Sequence, residues 1–243
     1  MQFIQNLKKF ISSPQKEVVT EEKTPKQLIA KLKEKYYPES DFVGPYEEAE
    51  IVGGLINDQL LWKFRDYIQG HVLDMSTPAY WHHHVKEREV VTKWTICDLE
   101  QDYVEKLGHR SAVDIIGDFS VAPPPMAANT VDTILCISIL EHCKNPFVMM
   151  ENLKFILRPG GYLFLQAPFA YIDGHLSPDY WRFGRDAYYL FAEHVDMQVI
   201  ETGEYLDMGK YFKEELGVDL SATNWHRGVP QVNWAILKNI DTE

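Results

Sequence analysis

Residues 131–183 place two groups of polar side chains directly behind two apolar runs. Behind residues 131–137 come Ser138, Glu141 and His142; behind residues 162–167 come Tyr171, Asp173, His175, Tyr180, Trp181 and Arg182. Histidine is the side chain that gives and takes a proton near neutral pH, so His175 and His142 are the candidate bases. Arg182 carries a permanent charge, suited either to a substrate anion or to a salt bridge that holds its own loop. Tyr171 and Tyr180 add polar aromatic surface on the same side. Three acids, Asp74, Asp98 and Asp118, stand at the ends of three earlier apolar runs. Any one of them alone reads as a solvated loop carboxylate or a helix cap. Three in succession describe a polar rim of hydrogen-bond acceptors.

The elements that would position these residues follow from periodicity. The run at 131–137 is a buried strand, an amphipathic helix follows Glu141-His142, Arg158-Pro159-Gly160-Gly161 is a turn, and 162–167 is a second strand. Strand, helix, glycine turn, strand is a βαβ unit of a parallel sheet, whose strand ends line a ligand crevice. Further strands are predicted at 71–75, 90–97, 112–116, 197–202 and 232–237, with a helix over 185–194. A long helix over 46–69, with Gly53-Gly54 inside it, is predicted to end at Gly70. Residues 207–227 form a partly helical insertion, in which Trp225-His226-Arg227 could close over the crevice.

These motifs, with the Asp-Tyr-Trp-Arg-Phe string at 179–183, resemble the class I S-adenosylmethionine-dependent methyltransferases, and within them the type 11 group. The resemblance spans about residues 70–240 and is strongest over 112–183. It implies an α/β fold: a Rossmann-like, seven-stranded mixed sheet whose last strand runs antiparallel. It implies S-adenosylmethionine as cofactor, with Asp98 accepting hydrogen bonds from the ribose hydroxyls, Asp118 near the adenine amine and Phe119 against its ring. Asp74 ends the first strand, where the family continues into a glycine-rich loop. This chain has Met75-Ser76-Thr77-Pro78-Ala79-Tyr80 instead, and Pro78 has no amide to donate. Hydroxyls of Ser76 and Thr77 are the replacements available, and Ser138 completes the cofactor set. The expected reaction is methyl transfer to a small-molecule or sugar-containing acceptor at oxygen. The altered loop leaves an alternative, a catalytically inactive binding or scaffold protein of the same fold. A nicotinamide enzyme would want G-x-G-x-x-G after the first strand, which is missing.

Composition sets the outer limits. The net charge of −12 argues against nucleic acid as substrate. Within it, residues 1–36 hold eight lysines against four glutamates, so a +4 arm precedes a body carrying −16. Phe3, Ile4, Leu7, Phe10 and Ile11 form an apolar helical stripe in that arm, read as packing on its own domain or on a sister subunit in preference to a membrane surface. We therefore expect residues 1–45 to be a helical extension with a linker, 46–243 to be the α/β domain, and any homo-oligomer to form through the N-terminal helices. No apolar run approaches a membrane span and no signal peptide opens the chain, which leads to a cytoplasmic expectation. Cys97, Cys136 and Cys143 form no C-x-x-C pair and read as reduced core cysteines. His82-His83-His84 are consecutive, so they fan away from any single centre, and no metal is expected.

Overall fold

The computed structural model describes residues 60–75, 83–98, 113–170, 178–207 and 230–240. All lie in the unit Gly54–Glu243. The expected N-terminal helices, Ser76, Thr77, His82, Tyr171, His175 and residues 208–227 of the expected insertion lie outside the described residues.

Seven strands form one sheet: β1 (Gly70–Asp74), β2 (Val91–Asp98), β3 (Ile115–Ile116), β4 (Val131–Ile137), β5 (Leu157–Pro168), β6 (Met197–Asp207) and β7 (Pro230–Asn239). Their order is β3-β2-β1-β4-β5-β7-β6. Pairing is parallel from β3 through β5, and β7 lies antiparallel between β5 and β6. The expected mixed sheet is therefore present, antiparallel last strand included. Strand β4 sits at its centre because six of its seven residues are buried, the near-continuous apolar pattern of a strand covered on both faces.

Two helices cover one face. Helix α2 (Pro146–Ile156) begins at Asn145, whose side chain accepts the Val148 N–H at 3.3 Å, with Pro146 in the first turn. It buries Met149, Met150, Leu153 and Ile156, a single helical stripe, into the core. Helix α3 (Arg185–His194) adds Tyr188 and Phe191, which pack against Phe183 and the same core. A short helix α1 (His83–Lys86) precedes β2. It carries two of the three consecutive histidines.

Several boundaries differ from the sequence reading: β3 is confined to Ile115–Ile116, β6 and β7 run longer than expected, and two further differences have a local cause. Residues 60–63 are helical, but the helix gives way to a 3-10 turn at Arg65–Tyr67 and stops before Gln69. Gly70 does not cap it; with φ +66° it opens β1. Strand β5 starts at Leu157 rather than at 162. Val131 pairs with Leu157 and Thr133 with Tyr162, so Arg158–Gly161 bulge out of the ladder, with Gly160 at φ +78°. Turn chemistry was legible there, yet hydrogen bonding resumes on both sides of the bulge.

The edge opposite the strand ends is tied by Asp132. One oxygen accepts the His71 N–H at 2.7 Å, and the Arg158 guanidinium sits 2.9 Å from the other. A Cβ at Gly70 would meet that carboxylate at 2.3 Å. Gly70→Ala therefore combines a left-handed backbone with displacement of Asp132. It should destabilise the fold by about 2 kcal/mol, read as a lower urea midpoint at unchanged slope. A midpoint equal to wild type would contradict the assigned role of Gly70.

Candidate functional site

The strand order reverses between β1 and β4, so their carboxyl ends diverge and leave a crevice at the switch point. Asp74 closes β1 and is fully buried. Asp98 closes β2 and is partly exposed, its carbonyl held by the Gly117 N–H at 2.9 Å. Ser138 leaves β4 with φ +54°, a conformation non-glycine residues seldom adopt. Two bonds to one residue hold it there: its N–H donates to the Gln166 carbonyl at 2.9 Å, and its Oγ to the Gln166 Oε1 at 3.1 Å. Three side chains expected at the rim, Asp74, Asp98 and Ser138, thus stand at the carboxyl ends of three neighbouring strands. Strain stored at such a point is typical of ligand sites.

The loop after β3 differs. Asp118 is exposed, and its Oδ1 accepts both the Ser120 N–H (2.9 Å) and hydroxyl (2.6 Å), which makes it a turn cap. Phe119 is buried in the apolar core, and its carbonyl accepts the Asn152 side-chain amide at 2.8 Å. An aromatic residue after a strand end reads the same in sequence whether it packs inward or lines a pocket.

Behind β4, Leu140–His142 form a 3-10 turn. The Glu141 carbonyl accepts the N–H groups of Tyr180 (2.7 Å) and Trp181 (3.2 Å), and the Trp181 indole N–H donates to the Cys143 carbonyl at 2.7 Å. His142 Nδ1 meets the Pro178 carbonyl at 2.5 Å. The segment behind β5 is therefore strapped onto the turn behind β4. Arg182 belongs to the strap: its guanidinium forks onto Asp179 at 2.5 and 2.7 Å, and the Asp179 side chain is only 2% exposed. Of its two readings the structure gives the salt bridge, because a bidentate carboxylate partner stands three residues away. Phe183 then enters the core, where its carbonyl accepts the Asn233 amide at 2.9 Å. Tyr180 itself is half exposed beside this strap.

Burial shapes the acid–base character of the turn. The Glu141 carboxyl is fully buried, and desolvation pushes its pKa up to about 8, with Asp179 adding to the rise and Arg182 opposing it. Cys97, Cys136 and Cys143 are buried free thiols, raised chiefly by desolvation, Cys97 and Cys143 to about 12. They are inert at neutral pH. Among the described residues no group of three or more metal-binding side chains converges.

Sequence reasoning missed Gln166 and Trp234. Both are polar or amphipathic residues inside apolar strand runs, which is the signal that could have exposed them. They flank an apolar recess walled by Leu60, Leu61, Phe64 and Ile137. The Phe64 and Trp234 rings lie 4.6 Å apart, and Lys63 Nζ sits 4.5 Å from the Phe64 ring centre.

This rim matches the chemistry of a nucleoside: a part-exposed carboxylate at the end of β2 can take two vicinal hydroxyls, beside a polar switch point. The architecture is that of the class I methyltransferases. Residues 33–207 match the model of a family described as the methyltransferase domain, and the chain belongs to that family of enzymes. Similar solved structures include a SAM-dependent methyltransferase from Archaeoglobus fulgidus (13% identity, TM-score 0.58, covering 86% of this chain and 98% of that one). One from Aquifex aeolicus aligns at 16% identity and TM-score 0.52, over 87% of this chain and 98% of its own. A chain of the Haloferax volcanii complex between the Trm112 methyltransferase activator and a methyltransferase aligns at 14% identity and TM-score 0.55, over 82% and 100%. No curated protein matches the chain by sequence.

Removing the Arg182 fork takes two charge-assisted hydrogen bonds from a buried carboxylate. Arg182→Met should cost about 2–4 kcal/mol of stability, measured by chemical denaturation. A loss below about 0.5 kcal/mol, the scale of an exposed pair, would show that the strap does not depend on this bridge.

Proposed function

We propose that this chain is an S-adenosylmethionine-dependent methyltransferase acting at oxygen on a small-molecule or sugar-containing acceptor. The observation that carries the reading is the run of Asp74, Asp98 and Ser138 along the carboxyl ends of β1, β2 and β4, in a chain of the methyltransferase family. Asp98 would hold the ribose hydroxyls, Asp74 the start of the cofactor loop, and Ser76 and Thr77 the methionine part. The bound cofactor supplies a methyl group on a sulfonium, open to in-line attack by a nucleophile.

The protein's own share is alignment and exclusion of water. Tyr171 and Tyr180 would contact the acceptor from the segment behind β5. His175, in that segment, is the proposed base that takes the hydroxyl proton, and His142 shapes the crevice from the other side. Among the described residues no helix is long and apolar enough to cross a membrane. The proposed setting is the cytoplasm, with any self-association through the N-terminal helices.

Two variants test these roles. Asp98→Ala should weaken cofactor binding by about 2–3 kcal/mol, roughly 30- to 150-fold, the scale of lost charge-assisted hydrogen bonds. Affinity within twofold of wild type would remove Asp98 from the ribose site. Once an acceptor is in hand, His175→Ala should lower turnover ~100-fold with cofactor affinity unchanged. Unchanged turnover would assign the proton to another group or to an acceptor that needs no base.

A further inference from the structure

The Glu141 side chain takes no part in the roles above, yet its surroundings are unusual. It is fully buried, and neither carboxyl oxygen reaches a well-formed hydrogen bond among the described residues. Its Oε1 stands 3.7 Å from Nε2 of His142. The Pro178 carbonyl can only accept, so Nδ1 of His142 is the donor of their 2.5 Å contact. In the neutral ring the proton then sits on Nδ1, and Nε2 presents its lone pair toward the carboxyl.

We propose that Glu141 is the positioning residue of the site: its carboxyl donates to Nε2 and so fixes the orientation of the His142 ring, whose tautomer the Pro178 carbonyl sets, while its carbonyl anchors the strap behind β5. Burial disfavours the carboxylate by more than its own backbone N–H favours it, so the group keeps its proton at pH 7. The acid form is a donor and Nε2 is the complementary acceptor. A small side-chain rotation closes the gap between them. No proton is transferred. It stays on Glu141, and the Nδ1 proton stays on His142.

The groups that face this carboxyl come from several elements. His142 and Cys143 lie on its own turn, Cys136 on β4, Asp179 and Arg182 on the strap, and Tyr188 on α3. Arg182 is neutralised by Asp179, which is why the pair does not hold Glu141 ionised. One residue thus serves both loops of the crevice, through its backbone to the strap and through its side chain to the histidine. The consequence for catalysis rests on reading this crevice as the methyl-transfer site; the consequence for His142 does not.

The raised carboxyl also sets a sign. The unfolded chain loses the Glu141 proton near pH 4.5, whereas the folded chain keeps it to about pH 8. The folded state therefore binds more protons between those values, and stability falls as pH rises through the window.

Nitrogen-15 NMR of the full chain labelled in histidine tests the proposal, with the His142 signal identified by its loss in His142→Asn. Wild type at pH 7 should show the neutral Nδ1–H tautomer. Glu141→Gln, which also donates, should keep the Nε2 signal of a nitrogen that accepts a hydrogen bond, whereas Glu141→Leu should move that signal downfield to the position of an unbonded acceptor in the same tautomer. An unchanged His142 signal in Glu141→Leu would overturn the proposal. If Glu141→Leu does not fold, urea midpoints of wild type and Glu141→Gln from pH 5 to 8 decide it. Wild type should lose stability across that range relative to Glu141→Gln, and parallel curves would contradict a buried acid. S-Adenosylhomocysteine binding by wild type, measured alongside, bears on the cofactor reading alone, because neither readout depends on it.

Discussion

The crevice depends on one carbonyl. The oxygen of Glu141 accepts two successive backbone N–H groups, from Tyr180 and Trp181, and so joins the loop behind β4 to the segment behind β5. Parallel strands fix where loops begin but not where they go, since no ladder continues past the last pair. Here the Trp181 indole, the Asp179–Arg182 fork and the Pro178 carbonyl reinforce that junction within five residues. Phe183 then carries the chain into the core, where Asn233 of β7 holds its carbonyl. The strap is thereby referred back to the sheet that carries the strand-end acids.

Burial has opposite results on the two sides of the switch point. Around β4 it creates a neutral, proton-holding environment: the Cys136 and Cys143 thiols raised out of reach of ionisation, a buried phenol on α3, and the Glu141 acid. At the end of β2 the Asp98 carboxyl remains partly open to solvent. Charged acceptor of hydroxyls on one side and low-polarity wall on the other is a division suited to a ligand with a polar nucleoside and a reactive centre that must be kept from water. The apolar recess under residues 60–64 extends the dry side toward β7.

Much of the fold was legible because apolar periodicity and turn chemistry agreed. The bounds of β4 and α3 match the sequence reading, and the helix expected between β4 and β5 is α2. Strands β6 and β7 proved longer than their apolar runs, since pairing continues through polar residues such as Glu204 and Asn233. The site was less legible for a physical reason. Composition can show that Asp118, Phe119 and Arg182 stand behind strands, but not that Ser120, the core and Asp179 claim them. Side-chain partners three residues away or across the sheet decide such roles, and a single sequence does not rank them. Gln166 and Trp234 were hidden by the same logic, as polar atoms carried inside apolar strands.

The central claim is that this crevice binds a nucleoside cofactor despite the unusual loop at 75–80. Calorimetric titration of the full wild-type chain with S-adenosylhomocysteine measures this without any knowledge of the acceptor. The account predicts saturable one-to-one binding with a micromolar dissociation constant. No heat of binding at millimolar ligand would contradict it.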